Sequence, residues 1–147
     1  CDLASIADQK EIELIQEDGD CTVTGSYLLL YRAVYNLVEN AIKYNHPGGK
    51  VTVKISQKKA VPDPSEPSHT TDCAFVEISD TGIGISPEFQ EKIFAPFFRV
   101  DKSRSRAMGG AGLGLALVNE IARQHGGQVK VVESSEKGST IALILPC

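Results

Sequence analysis

No apolar run in this chain approaches the length of a membrane-spanning helix, and no signal segment is recognisable. The four cysteines, Cys1, Cys21, Cys73 and Cys147, are widely scattered, with no CxxC pair. That spacing argues against a disulfide framework or a zinc site and favours free thiols in a reducing compartment. There is no excess of positive charge either: the net charge is −4. Nucleic acid and anionic membranes therefore have no electrostatic claim as partners. Two phosphate-binding signatures are missing as well. Gly109–Leu117 (GGAGLGLAL) lacks the lysine of a Walker loop, its spacing is not Gly-x-Gly-x-x-Gly, and no strand directly precedes it.

What remains is a chain of 147 residues, 41% of them hydrophobic, which is enough for one domain, 1–147, with a core of its own. It starts at Cys1 and not at methionine, so a piece of a longer protein is expected. Lys10–Gln16 and Cys21–Thr24 read as short strands joined at the turn residues Asp18, Gly19 and Asp20. Ser26 is a candidate N-cap for a long helix running to Tyr44, stopped by Asn45, Pro47, Gly48 and Gly49. Val51, Val53 and Ile55 alternate with polar residues as in a half-buried strand, and Ala74–Ser79 forms the next. Between them Gln57–Asp72 has no pattern and reads as a mobile surface loop, 57–72. Ser86-Pro87-Glu88 resembles the capped start of a short helix reaching Ile93. A second long helix covers Leu113–His125, closed by Gly126 and Gly127. Gln128–Glu133 and Thr140–Leu145 are the last two strands, about the turn at Glu136-Lys137-Gly138. Strands and helices are mixed without regular alternation, which points to an α+β sandwich.

Four segments carry chemistry. In NLVENAIKY, Asn36, Asn40, Lys43 and Tyr44 stand at i, i+4, i+7 and i+8, on one helical stripe. Carboxamide oxygens can ligate a hard cation, an ammonium can meet a phosphate, and a phenol can pack on a base; equally, lone asparagines cap turns or face solvent. In DTGIGIS, Asp80 at a strand end can accept a hydrogen bond from an exocyclic amine, and Gly82 and Gly84 allow close backbone approach; a plain turn gives the same pattern. GGAGLGLAL exposes backbone N–H groups at a helix start, as a phosphate cradle or a hinge would. FAPFFRV gathers Phe94, Phe97 and Phe98 beside Arg99, either as a core plug or as the latch of a mobile lid. His46, His69 and His125 have no neighbour suited to nucleophilic or metal chemistry.

The order of the four segments is more specific than any one of them. Together they resemble the asparagine, first glycine, phenylalanine and second glycine boxes of the catalytic ATP-binding domain of bacterial sensor histidine kinases, from about Lys10 to Pro146. HGGQVKVVES and EKGSTIALILP are similar to that family's last strands. The resemblance implies the Bergerat fold, a two-layer sandwich of about five mixed strands backed by three helices, with a flexible ATP lid at 95–111. It implies ATP as substrate with Mg²⁺ on Asn40, and Asn36, Lys43 and Arg99 as the catalytic set. Tyr44 would stack on adenine and Asp80 would accept its amine. Gly82, Gly84 and Ile85 would shape that pocket, with Thr140 supporting it. Phe94 would line the site; Gly110, Gly112, Leu113, Gly114 and Leu115 would form hinge and cradle. Ala111 and Ser26 depart from the threonine and aspartate many relatives carry there. The reaction implied is transfer of the γ-phosphoryl group to a histidine on a dimerisation hairpin absent from this chain, with a response regulator downstream. The isolated domain would be a monomer, and its location cytoplasmic, whether or not the parent protein is membrane-anchored.

Overall fold

The computed structural model describes residues 3–96 and 114–147. Within them are three α-helices, α1 (Leu3–Gln9), α2 (Tyr27–Lys43) and α3 (Gly114–Gln124). There are also five strands, β1 (Glu13–Gln16), β2 (Lys50–Ala60), β3 (Thr71–Asp80), β4 (Gln128–Ser135) and β5 (Gly138–Pro146). The strands form one sheet in the order β1-β2-β3-β5-β4. Only β1 runs parallel to its neighbour, so the sheet is mixed. The α+β reading and the two-layer arrangement hold.

The layers follow from side-chain period. Val53 pairs with Ile78, Ile78 with Ile141, and Ile141 with Val131, so these four stand in one row on one face. The helices supply the other half of that core through Ala33, Leu37 and Ile42 of α2 and Val118, Ile121 and Ala122 of α3, all buried. On the opposite face a smaller cluster gathers Cys73, Ala142 and Ile144 with Phe75. Leu37, Val38, Ala41 and Ile42 are buried as one stripe of α2, which leaves Asn36, Asn40, Lys43 and Tyr44 on its half-exposed side. The helix opens as its sequence suggests, with Leu29 N–H donating to Ser26 Oγ at 3.3 Å. Its other end is held by a polar staple. Asn45 is buried (4% exposed), donates through Nδ2 to Lys50 O at 2.9 Å, and accepts from His46 N–H at 2.8 Å.

Several local readings change. Cys21–Thr24 is not a strand, and β1 does not form a hairpin with it. Beyond Gln16 the chain follows the edge of β2, where Glu17 N–H reaches Val53 O at 2.9 Å, and then crosses to α2. The unpatterned 57–72 segment is shorter than its composition suggests. Gln57–Ala60 pairs with Thr71–Ala74, so only residues 61–70 connect the strands. That connection is partly anchored: Pro62 is buried and Val61 O accepts from Gln128 Nε2 at 3.0 Å. Lysines and prolines hid the strand ends, because long polar side chains are accommodated wherever one face of a hairpin meets water. The helix expected after Ser86 is instead two 3₁₀ turns, Pro87–Phe89 and Lys92–Phe94, and Ser86 makes no side-chain cap.

Candidate nucleotide-binding site

The candidate site is built where the end of β3 meets the end of α2. Asp80, the last residue of β3, turns its carboxylate back onto its own loop. Gly82 N–H donates to Oδ1 at 2.9 Å, Ser139 N–H to the same oxygen at 3.3 Å, and the Ser139 hydroxyl to Oδ2 at 3.0 Å. Burial pushes the Asp80 carboxyl above the usual aspartate range, while the bonds from Gly82 and Ser139 pull the other way. A carboxylate offers about four acceptor positions. With three occupied, one remains on Oδ2 to recognise a donor, and its direction is fixed by the others.

The glycines explain how this loop packs against α2. A Cβ at Gly82 would stand 2.4 Å from Tyr44 O and 3.0 Å from Asn45 Cα, so any larger residue would part the loop from the helix. Ile83 N–H completes that junction by donating to Tyr44 O at 3.3 Å. Gly84 has φ +73°, in the left-handed region, and a Cβ there would meet Ser135 O at 1.9 Å. The next residue, Ile85, is pinned to the same hairpin by its N–H to Ser134 Oγ, 2.7 Å. Thr81 binds the loop to the Asn45 staple, donating to Asn45 Oδ1 at 3.3 Å and accepting from Lys50 N–H at 2.9 Å. DTGIGIS is therefore a fixed shelf, not a free turn.

Above the shelf stands the polar stripe of α2. Tyr44, the C-cap residue, adjoins Gly82 through its carbonyl, and Asn40 lies one turn earlier. Lys43 Nζ is 3.8 Å from Glu39 Oε1 on the same helix. Asn36 Nδ2 reaches Gly114 O, at the start of α3, over a long 3.5 Å contact. Gly114, within the second glycine segment, thus lies beside the first asparagine. The structure joins Asp80 and Gly82 to Tyr44 at the foot of α2 and Asn36 to Gly114 farther up the same helix, with Asn40 and Lys43 on the stripe between, while Gly84 and Ile85 are anchored to the β4–β5 hairpin.

Three expected site residues sit elsewhere. Thr140 pairs with Ser79, its Oγ1 2.8 Å from Ser79 Oγ, and strand alternation turns both to the face opposite Asp80. The residue that supports Asp80 is Ser139, which the sequence reading passed over by one position. The sequence alone does not separate the two: the register, with Ser139 opposite Asp80 and Thr140 opposite Ser79, decides which hydroxyl shares the face of Asp80. Phe94 is buried in the core, and Leu115 packs against that core, so both hold the start of α3 in place. Arg99, Gly110, Gly112, Leu113, Phe97, Phe98 and all but the first two residues of the 95–111 lid lie outside the described residues. Thr81 and Asn45 were not anticipated as parts of the site; nothing in composition marks a staple of this kind.

The described residues contain no set of three His, Cys, Asp or Glu side chains able to hold a metal by themselves. A hard cation here would need oxygens from a bound phosphate chain beside a single carboxamide. That donor set suits Mg²⁺, which keeps phosphate and water ligands and takes few from protein.

Comparison with known proteins agrees with this fold. Residues 25–147 match the family described as histidine kinase-, DNA gyrase B- and HSP90-like ATPases, and the chain belongs to it. Sensor-like histidine kinase SenX3 of Mycobacterium bovis is 40% identical over 141 residues, 95% of this chain and 32% of that protein. Sensor histidine kinase RppB of Synechocystis is 38% identical over 128 residues, 87% of this chain and 26% of that protein. The chain thus spans about a third of the length of these relatives or less. Among solved structures, the mycobacterial sensor histidine kinase MprB superposes with a TM-score of 0.75 at 32% identity, covering 98% of this chain and 88% of that one. Full-length ShkA in complex with AMPPNP superposes with a TM-score of 0.78 at 25% identity, covering 98% of this chain and 27% of that one. The fold is that of the ATP-binding catalytic domain of sensor histidine kinases.

Proposed function

We propose that this domain binds Mg-ATP and donates the γ-phosphoryl group to a histidine on a helical hairpin outside the chain, as one step of two-component signalling. The observation that carries this reading is Asp80. Its carboxylate is half-buried, held by three hydrogen bonds, and placed at the foot of the asparagine stripe. One acceptor position left over at such a place fits the exocyclic amine of adenine.

The residues divide the work between recognition and positioning. Asp80 reads the base, and Tyr44 offers it a ring. Asn36, Asn40 and Lys43 then face the phosphates along α2. A bound Mg²⁺ on Asn40 would neutralise charge on the phosphate chain. Phosphoryl transfer needs mostly such neutralisation and in-line placement. Hydrolysis requires more, namely a base for water, and α2 does not supply one. Asn36 is a poor base, and Glu39 lies in an ion pair with Lys43. Both ring nitrogens of His125 are engaged: Nε2 accepts from Ser26 N–H at 3.1 Å while Nδ1 lies 2.8 Å from Ile121 O. AMPPNP on ShkA, a nucleotide with a non-transferable γ-phosphoryl group, supports the same ligand class for this chain.

The test mixes the domain with a phosphoacceptor hairpin from its parent protein and ATP labelled in the γ position. Acid-labile, base-stable label on the hairpin is expected. Acid-stable label would indicate a hydroxyl acceptor, free phosphate without protein label a hydrolase, and tight binding with neither a nucleotide sensor. Each of those three outcomes overturns the proposal.

A further inference from the structure

One cross-strand row ties Asp80 to the edge strand of the sheet. Asp80 of β3 pairs with Ser139 of β5, and Ser139 pairs with Ser134 of β4. Residues directly opposite share a face, so all three side chains stand on the same face. The row depends on an irregularity in β4. Val131 pairs with Ile141 but Glu133 with Thr140, so one extra residue is inserted between them. Without that bulge Glu133 would fall opposite Ser139 and bring a second carboxylate onto the face of Asp80. With it a neutral hydroxyl takes the place, and Glu133 is exposed on the other face beside Thr140.

That hydroxyl has a definite task. Ser134 Oγ accepts from Ile85 N–H at 2.7 Å, and Gln90 Nε2 donates to Ile85 O at 3.0 Å. Gln90 closes the first 3₁₀ turn, Pro87–Phe89. Ile85 lies in neither strand nor helix, so side chains supply the partners that secondary structure would otherwise give its backbone. The two partners come from separate elements, and all three residues are half-buried. The first half of the shelf is tied to α2 through Gly82 and Ile83, and to Asn45 through Thr81. The second half is tied to the sheet through Ile85, whose side chain packs on the main core.

We propose that Ser134 and Gln90 are positioning residues for base selection, given the ATP-binding function proposed above. They hold Ile85 by both of its backbone polar groups and so keep the shelf close to a purine whose amine meets Asp80. The β4 bulge is the device that aims Ser134 at this task. Neither residue reaches the phosphates, which belong to the α2 stripe. Their loss should therefore be felt by the base and not by the triphosphate.

The purified chain is titrated calorimetrically with Mg-ATP, Mg-GTP and magnesium tripolyphosphate, which has no base. Ser134→Ala removes one bond. Gln90→Glu removes the other while keeping the shape, because a carboxylate cannot donate. Each should weaken ATP by roughly 2- to 12-fold and lower its preference over GTP. Tripolyphosphate should stay within about twofold. Ser134→Thr keeps the hydroxyl and should restore ATP affinity. Equal losses for ATP and tripolyphosphate would overturn the proposal, since they would mark a purely structural role. ATP binding by the unmodified chain that tolerates both variants would overturn this role alone. Absence of ATP binding by the unmodified chain would overturn the proposed function and this role with it. If a variant fails to fold, amide hydrogen exchange of the unmodified chain decides. Adenosine should slow exchange at Ile85 N–H and tripolyphosphate should not; equal slowing by both, or none by adenosine, overturns the proposal.

Discussion

Replacing Asp80 by asparagine separates recognition from folding within one side chain. The three bonds that fix this residue survive the change. Oδ1 still accepts from Gly82 and Ser139 N–H, and the new Nδ2 donates to the Ser139 hydroxyl, which accepts as readily as it donates. What disappears is the remaining acceptor position, now replaced by a donor that faces the adenine amine. Hydrogen bonds to charged groups contribute about 1.5–3 kcal/mol. Asp80→Asn should therefore weaken ATP by roughly 10- to 150-fold and erode its preference over GTP. The same change should hold or raise stability. Burial raises the folded-state pKa of Asp80, so the folded chain binds its proton more tightly than the unfolded chain does. Its contribution to stability is then most favourable at low pH and falls as pH rises through the folded pKa, leaving a penalty at neutrality that asparagine removes. Calorimetric titration with ATP and GTP, beside urea unfolding at neutral and acid pH, reads both halves. Unchanged ATP affinity with an intact fold would refute the assignment of Asp80. A large loss of stability at neutral pH would refute the account of its burial.

Asn40→Ala should abolish most of the Mg²⁺ dependence of ATP binding while leaving the unfolding midpoint nearly unchanged; equal affinity with and without the side chain would remove it from the metal site. Asn45→Ala strips the staple under Thr81, leaves Lys50 O with the Thr81 N–H alone and takes the partner of His46 N–H, a cost of about 1–3 kcal/mol by urea unfolding. Ser139→Ala should weaken ATP several-fold, whereas Thr140→Ala should not, and the reverse order would return the supporting role to Thr140. Gly84→Ala forces a side chain into left-handed backbone against Ser135 O and should destabilise by about 2–4 kcal/mol, measured by thermal or urea unfolding.

Much of the fold was legible because the long elements follow simple periods. The apolar stripe of α2 and the alternation in β2 are each dictated by one buried face, whereas β5 is a continuous apolar run because both of its faces are buried. The reading failed where a face was mixed or the partner was distant. Cys21–Thr24 has strand-like residues, but β1 found its partner in β2, across the whole of α2. Gln57–Ala60 looked like loop because its lysines are exposed, and exposure says nothing about backbone pairing. The site was legible to the extent that chemistry and spacing coincide, as in the i, i+4 asparagines. It was illegible where identity depends on register, as with Ser139 and Thr140.

The burial of Asp80 has a consequence for design that a surface carboxylate would not have. A fully solvated aspartate would accept an amine only in competition with water, and the net gain would be small. Taking the carboxylate out of water raises the cost of its charge, and the Gly82 and Ser139 donors offset only part of that cost. On the proposed function, Asp80 is then an acceptor that a donor stabilises, and a purine with an exocyclic amine would supply one. One that carries a carbonyl at that position instead meets the carboxylate with like polarity. Discrimination then comes from repulsion as much as attraction. The same reasoning ties the glycines to selectivity. If Gly82 could not approach Tyr44 O, the loop would lift from α2, water would reach Asp80, and the difference between the two purines would shrink with the dielectric.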